Sequence, residues 1–545
     1  MLLNLFILTS YSFVILVSTL GYGLVFNSII FSKNTINNAA VGFFGLFFLY
    51  FISATTHLFT SHNSIHNIII LLIGLIFFYL QKKNIKKSEL NTIFTFFILL
   101  FSGFILAKTN EDFPYYHLPL SLHFVEQKLQ FGTGNLNIAY NHFSSLFQLN
   151  SIFYLPITKI YLFNLTNFLF QIFFFSGIVI IINQKKIPNF SKVFIILIFV
   201  IYITKFNRLS EYGADYVGQL LVIFSILLCS IIYFDSKKLD NIFISNIFNI
   251  SLFLVLLAST TKILYVIYFL PLIIIYINYL GFKNFFNHIF NRKLFFIALL
   301  SLFSIIFFNF TSSGCLIYPI SKTCFYDQFS WTLEMDTIIH MRSHYDAWAK
   351  SGIGAGYVVD NLDNFLENFK WVKNWFNTYF FNKISDYIFL VIFIMLLLFI
   401  IVFKNLKIFK QNIILKKRFF IFYLSVIIIL LYWFFNFPTL RYAGYSVVFM
   451  FITLPYIYYL SYQLDLSNKK VKTKVKILFL LSIAIFNVRN VDRIYNEFSL
   501  NINEHHNFSN FPFFWVENIS YKTIDEKLIK LNLIEQNKSC WATPS

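Results

Sequence analysis

Charged side chains are scarce in this chain. Only 12% of its 545 residues are Asp, Glu, Lys or Arg, while 58% are hydrophobic. Acidic residues are the scarcest, with 24 Asp and Glu against 43 Lys and Arg. A soluble domain averages about 25% charged residues, and it does not reach a mean hydropathy of +0.69. The composition therefore excludes a soluble globular protein and predicts an integral membrane protein.

Cysteine is also rare, and its four residues form no Cys/His array with the spacing of a zinc site. Cys229 lies in an apolar segment and is expected to pack there as a small apolar residue. Cys315 and Cys324 are nine positions apart in a polar segment, and in an oxidising compartment they would close a short disulfide loop. Cys540, near the end of the chain, has no obvious partner.

The N-terminus lacks the features of a cleaved signal peptide. Residues 1–30 contain no Lys or Arg, and their apolar run is longer than a signal peptide needs. We therefore predict a retained transmembrane helix here, as the first of about fourteen apolar segments that approach the roughly 20 residues needed to cross a bilayer. These segments are 3–31, 39–57, 63–81, 90–107, 151–182, 192–205, 214–234, 244–260, 263–280, 294–310, 386–403, 419–436, 443–462 and 476–489. The predicted fold class is an all-α polytopic bundle of about 12–14 transmembrane helices.

Basic residues follow a consistent pattern between these segments. Lys and Arg cluster on alternate connections, at 81–87, 184–192, 235–238, 404–418 and 468–476. The positive-inside rule makes this face cytoplasmic. The net charge of +19 is then a topology signal whose partner is anionic membrane lipid, and no nucleic-acid binding is expected. We predict a multi-pass membrane protein with its functional loops on the opposite, outer face; the family resemblance given below implies that this is the periplasmic face of a bacterial inner membrane.

The chain divides into six parts by this topology. They are the N-terminal transmembrane helices (1–107), a first periplasmic loop (108–150), further transmembrane helices (151–310), a large periplasmic loop (311–385), the C-terminal transmembrane helices (386–489) and a periplasmic tail (490–545). In the large loop, apolar residues of segment 356–376 recur every three to four positions. That spacing is typical of an amphipathic helix, lying on the bilayer or packed on the outer ends of the bundle.

Ionisable side chains at the edge of a membrane segment are costly and mark a functional site by default. On the predicted outer face they are Asp112, His117, Glu126, Glu211, Asp215, Lys262 and Arg441. Such groups suit glycosyl transfer from a lipid phosphate, in which a carboxylate deprotonates the acceptor or holds a divalent cation. Asp112 is the candidate base or metal ligand, with His117 and Glu126 as its neighbours. Arg441 and Lys262 are the candidate contacts to the phosphate leaving group.

Each of these residues also has a structural interpretation. Asp112 precedes Phe-Pro and could be a helix N-cap. His117 precedes Leu-Pro and could satisfy a local hydrogen bond. Arg441 could extend to the membrane interface, and Lys262 could anchor a helix–helix turn there. Tyr116 suits an interfacial aromatic belt without any substrate.

Five stretches carry a family resemblance: EDFPYYHLPLSLHFVEQ (111–127), GTGNLNIAYNHFSSLFQL (132–149), SGCLIYP (313–319), FPTLRYAG (437–444) and the terminal CW pair (540–541). Together they resemble an uncharacterised family of bacterial multi-pass membrane proteins. That family is in turn similar to the GT-C superfamily of glycosyltransferases, which use lipid-phosphate-linked sugars.

The resemblance implies a GT-C-like fold and a membrane glycosyltransferase. The enzyme would take a sugar from a polyprenyl-phosphate donor on the periplasmic face and pass it to a glycan or lipid acceptor in cell-surface glycan synthesis. The first-loop acid of the superfamily maps onto Asp112 or the adjacent Glu111. Neighbouring residues of a helix do not face the same way, so at most one of them faces the cavity, and we choose Asp112.

Further site residues follow from the same mapping and from the outer-face charges. Asn135 and Asn141 correspond to loop positions of the family, where they would contact substrate or shape the turn. Asp215 and Tyr116 complete the candidate substrate-binding set. A divalent cation, Mg²⁺ or Mn²⁺, would bind at Asp112.

Two other functions share features with this sequence. An O-antigen-type polymerase or ligase also has many helices and a large periplasmic loop, but such enzymes usually rely on outer-loop Arg and His residues rather than on a first-loop acid. A transporter or flippase of a lipid-linked substrate would place ionisable residues near the bilayer midplane, between two related halves. Here the charges lie at one face, and no sequence repeat is found.

Overall fold

The structure of the protein, a computed structural model, describes most of the chain. The described residues are 1–31, 38–107, 112–184, 187–210, 212–213, 215–234, 241–282, 292–352, 361–403, 413–461, 469–500, 511–513, 521–526, 529–534 and 540–544. Within them the chain folds into a large helical bundle, followed by a small C-terminal sheet.

The helices of the first part of the chain are α1 (Leu2–Ile30), α2 (Val41–Thr56), α3 (Ser64–Gln81), α4 (Lys87–Leu100), α5 (Ser102–Ile105), α6 (Leu118–Glu126), α7 (Thr133–Leu136), α8 (Ser145–Ile152), α9 (Leu165–Ile182), α10 (Asn189–Lys205), α11 (Val217–Tyr233) and α12 (Asn241–Thr261). Those of the second part are α13 (Phe269–Leu280), α14 (Arg292–Ser313), α15 (Met335–Ser351), α16 (Leu362–Leu366), α17 (Lys370–Trp375), α18 (Ser385–Phe403), α19 (Ile413–Asn436), α20 (Tyr445–Ser461) and α21 (Lys469–Leu500).

Short 3₁₀ and π-helical turns connect several of these helices. The 3₁₀ turns are Lys82–Asn84, Ile138–Asn141, Ile160–Leu162, Ile263–Tyr268, Ser321–Thr323 and Glu367–Phe369. The π-helical turns are Phe113–His117, Phe376–Ile384 and Leu440–Gly444.

The prediction of an all-α polytopic membrane protein is confirmed at this level. In the described part of the chain, eight helical stretches are long and apolar enough to cross a membrane, and three shorter apolar helices accompany them. The predicted spans at 90–107, 192–205 and 476–489 are helical as well, in α4 with α5, α10 and α21. Helices suit this composition because every backbone N–H and C=O group must be paired within the segment when no water is present.

Burial separates central helices from peripheral ones. Every residue of α11 is buried, as is 89% of the most apolar window of the stretch that contains α9. Only 22% of such a window is buried in α3, 33% in α14 and 28% in α19. The exposed side chains of these peripheral helices are large and apolar, as expected of residues that face lipid acyl chains.

Helices α1, α2 and α3 pack closely through small residues. A Cβ atom added to Gly21 would lie 1.9 Å from the Gly74 carbonyl oxygen, and one added to Gly45 would lie 1.9 Å from that of Thr19. The Ser18 hydroxyl donates a hydrogen bond across the same contact, to a carbonyl oxygen of α3. Small residues let helix backbones approach in a membrane, where no hydrophobic effect drives them together.

The predicted amphipathic helix at 356–376 is interrupted. Residues 353–360 lie outside the described part of the chain, and the helix formed beyond them breaks at Asn368 and Phe369, both with positive φ. Trp371 and Trp375 of α17 are 2% and 3% exposed. The apolar side of α17 therefore packs on the bundle, as in the second of the two predicted placements.

The C-terminal tail contains a sheet that the sequence analysis did not predict. Strands β1 (Tyr521–Glu526), β2 (Ile529–Ile534) and β3 (Cys540–Pro544) form an antiparallel meander in that order. Strand β3 lies against α6 and the π-helical turn before it. The tail thus returns to the first predicted periplasmic loop (108–150), which we call the first outer loop.

The close approach of α1 and α3 gives a stability test. Gly21→Val would place side-chain carbons inside the Gly74 backbone, and overpacking of this kind costs about 1–3 kcal/mol or more. We expect a lower melting temperature and a smaller monodisperse fraction in detergent. Ser28→Val, at an exposed position of the same helix, is the matched control. Equal behaviour of the two variants would contradict the packing described here.

Candidate functional site

Four connecting segments converge at one end of the helical body. They are the π-helical turn Phe113–His117 before α6, the segment before α11 that carries Asp215, the turn after α12 that begins at Lys262, and the turn Leu440–Gly444 before α20. The loop between α2 and α3 lies at the same end, where the His62 N–H donates to the Phe124 carbonyl oxygen of α6 at 2.8 Å. We call it the outer end, after the face to which the predicted topology assigns it.

An ion-pair cluster lies at the centre of this convergence. The Lys262 ammonium group donates to the Asp215 carboxylate, and the Nε atom of Arg441 lies 3.8 Å from the other carboxylate oxygen. Burial alone would raise the pKa of Asp215, but the charges of Lys262 and Arg441 outweigh it and lower that pKa to about 2. Asp215 is therefore ionised across the physiological range.

Asp112 is the second described carboxylate of the cluster. It stands at the N-terminal end of the π-helical turn, but its side chain accepts no capping hydrogen bond there. Burial raises the pKa of Asp112. The positive charges of Arg441 and Lys262 oppose this rise, and the negative charge of Asp215 adds to it. The two carboxylates thus have pKa values shifted in opposite directions, an arrangement that gives two acids of one site different roles.

Two neutral histidines flank the carboxylates. Burial lowers the pKa of His117 to about 3; the charge of Asp215 opposes the shift, and those of Lys262 and Arg441 add to it. Burial, again with Lys262 and Arg441, lowers the pKa of His142 to about 4. Both imidazoles are therefore uncharged at neutral pH. The sequence analysis did not select His142, whose only signal was its place in the family-like stretch.

Tyrosine side chains surround the two cations. The Arg441 guanidinium donates to the Tyr442 hydroxyl at 2.9 Å, and the Lys262 ammonium nitrogen lies 4.6 Å from the Tyr442 ring centroid, a cation–π distance. Tyr116 meets His117 edge to face, with ring centroids 4.3 Å apart. Ala443, next to Tyr442, has φ +65°, a strained conformation for a residue with a Cβ atom. Tyr442 was not among the predicted site residues.

One buried amide holds the two halves of the cluster together. The Gln219 side-chain nitrogen lies 3.1–3.2 Å from the carbonyl oxygens of Asp215, Leu440 and Arg441. Its side-chain oxygen accepts from the Ser446 N–H at 3.0 Å. Gln219 is fully buried, so these bonds are shielded from water. It is a positioning residue that could not be selected from the sequence, because a single Gln in an apolar segment has no motif.

Three predicted site residues lie outside the cluster. Glu126 is exposed at the opposite end of α6 from Asp112. The Asn135 amide donates to the Trp331 carbonyl oxygen at 2.8 Å, which ties the first outer loop to the large one. The Asn141 amide donates to a carbonyl oxygen within its own turn at 3.0 Å. The two asparagines shape the loop, the alternative role considered for them.

The metal prediction was compared with the side chains present. Within the described ranges, no three His, Cys, Asp or Glu side chains are placed to share a metal ion. Asp112 and Asp215 already face Lys262 and Arg441, which supply positive charge to both. The described donor set therefore does not fit a metal held by the protein alone. Glu111 and Glu211, two further predicted outer-face acids, lie outside the described residues.

Buried neutral histidines make stability depend on pH. Burial lowers the pKa of five histidines. The pKa falls to about 4 for His57 and His142, to about 3 for His117 and His123, and to about 2 for His62. An unfolded histidine has a pKa near 6.5, so below that pH the unfolded chain binds more protons and the fold loses stability. Each histidine contributes a slope of up to about 1.4 kcal/mol per pH unit.

We expect the melting temperature in detergent to fall as the pH is lowered from 7.5 to 5. His123→Gln should flatten this dependence, because it removes one buried imidazole that must otherwise stay uncharged. His340→Gln, at an exposed position, should leave the slope unchanged. A melting temperature independent of pH in the parent protein would refute the neutral-histidine assignment.

Comparison with known proteins places the chain in a family. A family model described as "Domain of unknown function (DUF8201)" matches residues 1–449, which is 449 of the 545 residues and includes every member of the ion-pair cluster. No curated protein and no solved structure matches the chain. The chain belongs to the DUF8201 family.

Proposed function

We propose that this protein is a GT-C-like membrane glycosyltransferase. It would transfer a sugar from a polyprenyl-phosphate donor to a glycan or lipid acceptor of the cell surface, on the periplasmic face of the bacterial inner membrane. One observation carries the proposal: two carboxylates, two cations and two neutral histidines from five separate segments meet at one end of an apolar helical body.

The cations suit the phosphate of a lipid-linked donor. Lys262 and Arg441 are partly exposed, with 25% and 41% of their side-chain surfaces accessible. Arg contacts phosphate through two parallel N–H groups, and Lys contacts it as a point charge. The prenyl chain of such a donor lies in the bilayer and its phosphate at the edge, where the predicted topology puts these two residues. Asp215 keeps the cations together when no phosphate is bound.

Asp112 suits the role of the general base that accepts the proton of the acceptor hydroxyl. No ion pair joins its carboxylate to another described residue, and its raised pKa makes it a better proton acceptor than Asp215. In the proposed step the acceptor hydroxyl transfers its proton to Asp112 while its oxygen bonds to the anomeric carbon of the sugar. The bond between that carbon and the phosphate oxygen breaks, and the phosphate leaves with the electron pair toward Arg441 and Lys262. This single displacement inverts the anomeric centre.

A paired substitution tests the base. Asp112→Asn keeps the size of the side chain but removes the proton acceptor, so transfer of radiolabelled sugar from polyprenyl-phosphate donors in proteoliposomes should fall by about 10²–10⁴-fold. Glu126→Gln makes the same change at the exposed end of α6 and should leave the rate unchanged. Equal rates for the two variants would remove Asp112 from the mechanism.

The same proteoliposomes separate the alternative functions. Movement of the lipid-linked sugar across the bilayer without any transfer would favour a transporter or flippase. Extension of an existing glycan by preassembled repeat units, with no use of single-sugar donors, would favour a polymerase or ligase. Transfer of single sugars that depends on Arg441 supports the proposed function.

A further inference from the structure

Aromatic side chains from four segments form a connected set beside the ion-pair cluster. They comprise Tyr115 and Tyr116 of the π-helical turn, His142 of the first outer loop, Tyr318 of the disulfide loop and Tyr345 of α15. We call this set the tyrosine rim. The ring centroid of His142 lies 6.0 Å from that of Tyr116 and 4.8 Å from that of Tyr345. The Tyr345 and Tyr318 hydroxyl oxygens are 3.3 Å apart.

The tyrosine rim is continuous with the ion-pair cluster. Tyr116 connects the two, because its ring centroid lies 4.3 Å from that of His117. A Cβ atom added to Gly213, two residues before Asp215, would lie 3.4 Å from the His117 imidazole. A sugar attached to a phosphate at Lys262 and Arg441 would have these rings as neighbours.

The rim side chains are partly open to solvent. Tyr115 is 52% exposed, and Tyr116, His142, Tyr318 and Tyr345 are each half-buried. They combine flat apolar faces with hydroxyl or imidazole groups that can donate or accept hydrogen bonds. A pyranose ring has the complementary surface, with C–H faces that stack on aromatic rings and hydroxyl groups at its edge.

The fold holds Tyr318 and Tyr345 of the tyrosine rim in place. The disulfide between Cys315 and Cys324 closes the loop that carries Tyr318. Buried Cys315 belongs to a small hydrophobic core against which Ile138 of the first outer loop packs. Helix α15 begins eleven positions beyond Cys324 and presents Tyr345 toward His142. Rings contributed by distant segments are thus kept at fixed spacing, as a preorganised binding surface requires.

We propose that the tyrosine rim binds the sugar ring of the donor, beside the cations that take its phosphate. The inference rests on the proposed function and adds the sugar subsite to it. Tyr345 and Tyr318 would stack on and hydrogen-bond to the sugar, and the neutral imidazole of His142 would accept from one of its hydroxyl groups. The disulfide loop would then determine which sugar fits.

The test compares a bare lipid phosphate with its sugar esters. Affinities of the purified full-length protein in detergent are measured for farnesyl phosphate and for its glucosyl, mannosyl, galactosyl and N-acetylglucosaminyl phosphodiesters. At least one ester should bind tenfold or more tightly than farnesyl phosphate. Tyr345→Ala should abolish this gain and leave the affinity for farnesyl phosphate unchanged. Tyr459→Ala, at a tyrosine with 52% exposure on α20, is the matched control and should keep the gain.

Tyr345→Phe provides a second variant that keeps the ring and removes only the hydroxyl group, in case the alanine variant fails to fold. It should retain part of the gain, because stacking remains while the hydrogen bond is lost. A sugar-dependent gain that survives unchanged in both variants would overturn the inference. So would the absence of a gain with every sugar.

Failure of the inference is distinguishable from failure of the proposed function. Binding of farnesyl phosphate that Arg441→Ala weakens, with no gain from any sugar, overturns the tyrosine rim and leaves the phosphate site standing. Equal binding of farnesyl phosphate by the parent protein and Arg441→Ala overturns the phosphate site, and the rim with it.

Discussion

The arrangement at the outer end depends on the carboxylate of Asp215. Lys262 and Arg441 both approach it, and without it two positive charges would face each other across a partly desolvated site. Its negative charge lets cations from different segments share one small volume at the edge of an apolar body. Burial shifts the pKa values of Asp112, His117 and His142, and the charges of the ion-pair cluster modify each of these shifts.

Packing within the helical body makes this cluster geometrically possible. Gln219 on fully buried α11 bonds to the backbone on both sides of the cluster, and it thereby couples the segment of Asp215 to the turn of Arg441. The same turn contains Ala443 in a left-handed conformation, which the surrounding contacts hold in place. The peripheral helices, with their apolar exposed surfaces, leave the central helices shielded and able to carry buried polar groups.

Much of the fold could be read from the sequence. Hydrophobic runs long enough to cross a bilayer are local features, and each predicted apolar segment contains a helix in the structure. The C-terminal sheet was not predicted because its three strands are short and lie in a polar segment that was interpreted as a tail without secondary structure. Charge at a membrane edge selected Asp112, Asp215, Lys262 and Arg441, which the structure brings together at one end of the bundle. The same reasoning selected Glu126, which the structure places apart from them at the other end of α6, because proximity in sequence to Asp112 did not account for the length of that helix.

The sequence by itself determined that this is a polytopic helical membrane protein whose few outer charges are functional candidates, because hydropathy and charge are properties of single positions and short windows. Only the tertiary structure decided which candidates meet. Asp215 and Lys262 are 47 positions apart, and Arg441 comes from a much later turn, so their contact depends on how α11, α12 and α20 pack. Tyr442, His142 and Gln219 became visible for the same reason: an aromatic ring, a neutral imidazole and a buried amide acquire a role only from what surrounds them.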